Sequence, residues 1–446
     1  MWFRVFGIWQ DISLPERTIN STSMKYRTTL IPHKIGNWVK SHPILILFIA
    51  LLPTMVRCIF SVYDLRLSYW WPSYYYFVGY ETGFGGRKLL GTIIHKLIPG
   101  YVSVASLRPL LISVNLLMVV LFIVLVNTTI KKNPKNKLSI LVLTGMYLVG
   151  PFSLTTWIRD GLFVFLESYM IVLVLVWLFV YIKWRKRWFY FLATLITALA
   201  CCLLHHTFCC LYFPLMVALF AYDSIDENGI RWKRVAGYGL VCLLMLVLFV
   251  SLWSFSSMNV DIDTLFTRIR MRAAPDACNW SKEALCYLFY LSSSENRAVA
   301  FAHNPAILVI SNLCITALLL LPLFVVFIAP FWIAHKRSTS HWGKLRYLLP
   351  VIIVNVMTIP IFFMATDNSR WWTAFCFCLA ALFFAAVASG DTMMGKTLDR
   401  MSQFSKNHWM LILGVVVYLS QLHNQYYNGL YEALDIIRFS RSFLGI

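Results

Sequence analysis

The stretch richest in chemically useful residues runs from Tyr63 to Gly100 and reads YDLRLSYWWPSYYYFVGYETGFGGRKLLGTIIHKLIPG. Asp64 opens it, and the aromatic cluster Tyr69, Trp70, Trp71, Tyr74, Tyr75 and Tyr76 follows. A glycine-rich turn with Gly79, Gly83, Gly85 and Gly86 then holds Glu81 and opens onto Arg87 and Lys88. Beyond it, Leu89, Leu90, Ile93, Ile94, Leu97 and Ile98 recur as adjacent pairs every four residues, one apolar stripe of a helix. Lys88, Thr92, His95 and Lys96 fall off the stripe, so the spacing predicts an amphipathic helix lying in a membrane interface. Its first turn would offer free backbone N–H groups, with Arg87 and Lys88 alongside, an arrangement suited to phosphate. The plainer reading is an interfacial helix anchored by Tyr and Trp, its glycines serving only the turn.

Three further groups carry ionisable side chains. In TTWIRDGLFVFLESYM (155–170), Glu167 follows Arg159 and Asp160 by almost two helical turns, which would set the two carboxylates on one face about 10 Å apart. A carboxyl at that depth suits a general acid or base, or else a structural pair with Arg159 or Arg57. His205 and His206 end an apolar run, where they could accept a proton, donate to phosphate, or simply face the interface. Asp367 and Arg370 lie three residues apart in TDNSRWW (366–372), close enough to bridge and cap a turn.

Holding these groups is work for membrane helices. The chain is 59% hydrophobic and only 13% charged, more apolar surface than a soluble core of this size could hide. Runs of bilayer length fall near 43–63, 109–130, 138–157, 161–182, 188–205, 207–222, 235–256, 305–334, 346–365, 371–389 and 408–424. The expected fold is therefore all-α, a polytopic integral membrane protein with about eleven spans. Residues 1–42 form an amino-terminal segment too long and polar for a cleaved signal peptide, and residues 425–446 a carboxyl-terminal one. The single transmembrane domain, 43–424, carries two long loops on one face, 64–108 and 257–304.

Lysine and arginine set the orientation. The segments between even and odd spans, with the amino-terminal segment, hold 24 of the 39 basic residues, so that face is read as cytoplasmic, in a cell or inner membrane. The same basic loops account for the net charge of +20, and no nucleic-acid partner is implied. The opposite face is rich in Arg over Lys, 11 to 3, and Arg forks bind phosphate or carboxylate at two points. Glu81, Arg87, Arg159, Asp160, Glu167, His205, His206, Asp367 and Arg370 all map to that outer face. Nine of the eleven cysteines lie in apolar runs and read as packing residues, while Cys278 and Cys286 could pair in the second loop. The sequence contains no nucleotide or metal motif, so no cofactor is expected.

Carboxylates, arginines and histidines at the outer ends of about eleven helices resemble two groups of bacterial surface-polysaccharide enzymes. These are the GT-C fold glycosyltransferases and the O-antigen polymerases and ligases. The first resemblance implies an acidic catalytic residue in the first external loop, where Asp64 and Glu81 stand, with Glu167 next. The second implies arginines gripping a polyprenyl diphosphate, for which Arg87, Arg159 and Arg370 qualify, with Lys88 beside them. Asp160, His205, His206 and Asp367 would support the site. The implied partners are a polyprenyl-linked sugar donor, a glycan acceptor and the lipid bilayer. A flippase for lipid-linked oligosaccharide and a membrane O-acyltransferase of surface glycans are the rival readings.

Overall fold

The computed structural model describes residues 43–63, 71–159, 162–291, 295, 298, 306–364 and 368–422. Asp64, Asp160, Asp367, the side chain of Arg159, and the segments 1–42 and 425–446 lie outside the described residues. The described helices are α1 (Pro43–Tyr63), α2 (Leu89–Leu97), α3 (Val104–Lys132), α4 (Lys137–Val149), α5 (Leu154–Arg159), α6 (Glu167–Trp184), α7 (Phe189–Leu204), α8 (Phe208–Leu211) and α9 (Phe213–Ser224). After a two-residue hairpin, β1 (Ile225–Asp226) and β2 (Gly229–Ile230), come α10 (Trp232–Ser254), α11 (Ile262–Arg272), α12 (Lys282–Phe289), α13 (Ala306–Leu319) and α14 (Leu321–Arg337). The last four are α15 (His341–Met364), α16 (Asn368–Ala388), α17 (Thr392–Asn407) and α18 (Trp409–Gln421).

The protein is an all-α, multi-pass membrane protein. Six described stretches are long and apolar enough to cross a bilayer: Val104–Lys132, Pro134–Ile158, Glu167–Trp184, Trp232–Ser254, His341–Phe362 and Ser369–Ala388. A seventh arises if Leu313–Leu319 and Leu321–Arg337, bent by 67° at Leu320, count as one. The expectation of about eleven is thus met only in part. The runs 188–205 and 207–222 fold as Phe189–Leu204 and Phe213–Ser224, of 16 and 12 residues. At 1.5 Å per residue the shorter reaches about 18 Å, well under the ~30 Å of a bilayer core. His205 causes the interruption: its extended backbone (φ −157°, ψ 119°) ends α7 before the chain turns back.

At the centre stands α16, whose apolar window is buried throughout. Its sequence FCFCLAALFFAAVA alternates bulky and small residues, and small side chains let neighbouring helices approach closely. The helices α3, α9, α14 and α15 all pack on it, and α6 lies along α3. Phe122, Tyr147, Phe327, Phe383 and Phe384 fill the middle of this bundle, with ring centroids 5.3 Å apart for Phe122 and Tyr147 and 6.1 Å for Phe327 and Phe384.

Loops that the basic residues assign to one face meet at one end of the bundle. At the basic end, Asp223 holds Arg185 (3.3 Å), Arg234 and the Tyr238 hydroxyl (2.8 Å). Asp391 takes Arg346 (2.9 Å), Tyr222 (2.7 Å) and Tyr347 (3.1 Å), and also caps α17 by accepting from Met393 N and Met394 N. Asn136 reaches Asp399 at 2.6 Å. At the opposite, loop end, the two long loops interlock. Ser257 N donates to Phe84 O (2.8 Å), Asn259 N to Thr82 O (2.9 Å), and Tyr74 Oη to Ser281 O (3.0 Å). Val102 exchanges backbone hydrogen bonds with Arg272 and Ala274, each at 2.8 Å.

The amphipathic helix expected after the glycine turn is α2, with Leu90 and Ile94 buried and Ile93, His95, Lys96 and Leu97 exposed. Arg272 closes its far end, donating to Ile98 O at 2.9 Å and to His95 Nδ1 at 2.6 Å. A cation suits the free carbonyls and negative dipole end there. Cys278 and Cys286 are both free thiols. Asn279 N instead donates to Ser73 Oγ, which bonds the Cys278 sulfur.

Candidate functional site: a buried ionic cluster at the loop end

Glu167 is the first residue of α6, not a residue two turns inside it. Leu162 N bonds back to Trp157 O and Phe165 N to Leu162 O, so residues 162–166 are turns that separate α5 from α6. The continuous helix on which a shared face for Asp160 and Glu167 was expected is broken at residues 162–166, and Asp160 lies outside the described residues. The partner of Glu167 is Arg370, from the first turn of α16: Nε donates to Oε1 at 2.9 Å, and Nη2 to the same oxygen. Glu167 is 1% exposed and the Arg370 side chain 7%, while the Phe165 ring lies 4.2 Å from the guanidinium carbon. Such a pair repays its desolvation only through close hydrogen bonding, and the two-donor contact supplies it. Tyr76 and Tyr169 meet hydroxyl to hydroxyl at 3.3 Å nearby, and Ser168 donates to Asn115 Oδ1 at 2.9 Å.

The histidine turn joins the same cluster. His205 is buried, and its Nδ1 accepts from Thr207 N (3.2 Å) and pairs with Thr207 Oγ1 (2.7 Å). Because a backbone N–H can only donate, Nδ1 carries no proton there and the neutral ring has its hydrogen on Nε2. The edge of Tyr75 covers it, at 6.1 Å between centroids. His206 stacks at a tilt on His205 (5.1 Å) and packs against Gly86, where an added Cβ would sit 2.9 Å from Nδ1. Burial, then Arg87, then the neighbouring histidine and Arg370 hold His205 well below the usual histidine range. Burial and Arg87 lower His206 to about 3.

Arg87 completes the cluster from above. Its φ of +71° is the one left-handed value on a non-glycine residue among the described residues. The glycine turn and the docked second loop impose that conformation: Gly83 has φ +130°, and a Cβ there would fall 2.3 Å from Ser257 O. Arg87 Nη1 donates to Leu288 O at 3.1 Å, and its buried Nε has no hydrogen-bond partner among the described residues. An unsatisfied buried guanidinium N–H is a donor waiting for an acceptor.

Of the residues singled out in the sequence, Glu167, Arg370, His205, His206 and Arg87 therefore converge. Two do not. Glu81 is exposed and accepts from Gly79 N at 3.2 Å, closing its own turn. Lys88 is 1% exposed, and its Nζ donates to Ser257 O (3.0 Å) and Phe84 O (3.5 Å). Its ammonium ties the two loops together. Burial lowers it to about 8, partly offset by Glu81. The sequence reading also missed Phe165, Tyr169 and the basic-end network around Asp223 and Asp391. Two carboxylates amid a basic face were the available signal for that network.

With Arg87 and Arg370 against Glu167, and both histidines neutral, the described cluster has an excess positive charge in a largely desolvated place. It can bind an anion and can accept a proton once that anion is present. Among the described residues, no three His, Cys, Asp or Glu side chains lie close enough to hold a metal ion. No protein-family model, curated protein or solved structure matches this chain.

Proposed function

We propose that this protein is a membrane glycosyltransferase or polysaccharide polymerase that takes sugar from a polyprenyl phosphate or diphosphate carrier on the outer face. The orientation inferred from Lys and Arg puts the loop end on that face, with the amino terminus in the cytoplasm. The span count includes the short and bent helices, giving about eleven passages. One observation carries the reading: a net-positive cluster drawn from four distant segments, with an unsatisfied Arg87 donor under the interlocked loops. A sugar carrier's phosphate at this depth would lie where its lipid tail enters the bilayer beside it.

On this reading Arg87 and Arg370 stabilise the phosphate as the sugar's anomeric carbon leaves it for an acceptor oxygen. The acceptor hydroxyl gives up its proton as that bond forms. The base that takes it is His206: burial first and Arg87 second lower its basicity, and an arriving phosphate offsets the Arg87 part, so proton affinity rises when substrate is bound. Glu167 holds Arg370 in place. The closed aromatic middle of the bundle favours an enzyme at one face over a flippase with a path through it.

The test is native mass spectrometry of the full chain in detergent with undecaprenyl phosphate, alongside surface glycan in cells. Arg87→Ala is expected to weaken lipid retention about ten- to a hundredfold, the loss of one charge-assisted contact. It is also expected to abolish the glycan at unchanged protein level. Undiminished lipid binding and glycan in both Arg87→Ala and His206→Gln would overturn the reading. Loss of an acyl group from the glycan, with its sugars intact, would favour the acyltransferase instead.

A further inference from the structure

The histidine turn is bracketed by two thiols. Cys202 lies in the last turn of α7 and Cys209 in α8, and their sulfurs stand 3.9 Å apart. The adjacent Cys201 is directed elsewhere, toward Met170 O at 3.9 Å. Cys202 is buried and Cys209 half-buried, so the pair has one protected and one reachable member. Between them sit His205, His206 and Thr207, the residues that interrupt the helix.

We propose that Cys202 and Cys209 form an oxidative modification site, a disulfide that clamps the histidine turn. A disulfide needs sulfurs about 2.05 Å apart, so the pair must close by about 2 Å. Closing the gap calls on side-chain rotation at the two helix ends, which are joined by a turn and not by a continuous helix. The oxidant is a disulfide, either a small molecule or a protein thiol oxidase. The hydrogen bond with Cys202 and burial push the Cys209 thiol well above the usual range. Attack of its thiolate on one of the oxidant's sulfurs is therefore slow at neutral pH and quickens as pH rises. That attack releases a thiolate and leaves a mixed disulfide on Cys209. The Cys202 thiolate then attacks the Cys209 sulfur, displacing the oxidant's second thiolate. The two cysteines lose two protons and two electrons between them, and the oxidant becomes two thiols.

The location fits this chemistry if the loop end faces away from the cytoplasm, where disulfides persist. That placement rests on the orientation given under Proposed function; the chemical capacity of the pair does not. Closing the link removes freedom from the segment that presents both imidazoles.

The experiment uses the purified full-length chain in detergent. It is incubated with oxidised glutathione, alkylated, digested and analysed by mass. The expected product is one cross-linked peptide pair joining Cys202 to Cys209, reversed by dithiothreitol and absent from Cys209→Ser. Amide exchange over residues 203–208 is expected to slow about tenfold in the linked form. Four cysteines at 201, 202, 209 and 210 that all stay alkylatable after oxidant would overturn the proposal. So would a link formed mainly through Cys201 or Cys210. Linked protein with unchanged exchange would overturn the clamp. Because the unmutated chain supplies the main readout, a variant that fails to fold leaves the result intact. Alkylation at the moment of cell lysis separates the compartments: the link should be present in membranes if the loop end faces an oxidising side, and absent if it faces the cytosol.

Discussion

The pairing of Glu167 with Arg370 dominates the energetics at the residue scale. Removing one partner leaves the other charged and buried, at a cost of about 3–5 kcal/mol, whereas replacing both with apolar residues avoids that penalty. Arg370→Leu is therefore expected to lower thermal stability in detergent sharply, and Glu167→Leu/Arg370→Leu to recover most of it. A double variant as unstable as the single one would show that the two side chains are not coupled. His206 gives a pH signature. Its folded value of about 3 lies below the ordinary histidine value of about 6.5. Between those values the unfolded chain binds a proton that the folded chain refuses, so stability falls as pH drops from about 6.5 toward 3. His206→Gln should make that part of the melting-temperature profile shallower than in the parent chain, His205 supplying the slope that remains.

The glycine turn and α2 act as one element with the second loop. Gly83 combines a left-handed backbone with a close approach to Ser257 O, so no side chain fits without moving one loop off the other. Gly83→Ala is expected to cost about 1–3 kcal/mol locally. Its effect should appear as faster amide exchange over 255–290 while α3 and α16 stay protected. Unchanged exchange in the second loop would show that the loops dock independently of this turn. Lys88 belongs to the same element: its neighbours are carbonyls of both loops, which explains why a basic residue beside Arg87 is not free for an anion. Both glycine turn and apolar stripe were legible in the sequence, because each is a local pattern. The destination of the Lys88 side chain was not, because Ser257 lies 169 residues away.

At the scale of the whole membrane unit, the described residues of Pro43–Ile446 form two polar ends separated by an aromatic middle. The basic end is a closed network in which Asp223 and Asp391 each gather arginine and tyrosine from several segments. Buried guanidinium nitrogens without a hydrogen-bond partner occur at both ends among the described residues, Arg346 Nε at the basic end and Arg87 Nε at the loop end. Opposite ends should face opposite sides of the membrane. Cysteines introduced at the exposed positions Asn228 and Met271 are expected to react with an impermeant maleimide from opposite sides, scored against the parent chain. Labelling of both from one side would break the two-ended arrangement and the orientation with it.

Composition and periodicity alone determined that this chain lives in a membrane, that it is helical, and that loops of like position share a face. These properties sum over many residues, and a bilayer punishes every error in apolar length or charge. They also located the amphipathic helix and a pool of ionisable candidates on one face. Only the tertiary structure decided which of those candidates meet. Glu167 and Arg370 are 203 residues apart, and Arg87 reaches a carbonyl 201 residues away. Spacing along one helix cannot specify a partner on another, and it misplaced Glu167 by assuming a helix that breaks at residues 162–166. A turn at His205 and His206 was legible in the sequence, but that the helices on either side of it are only 16 and 12 residues long emerged from the tertiary structure.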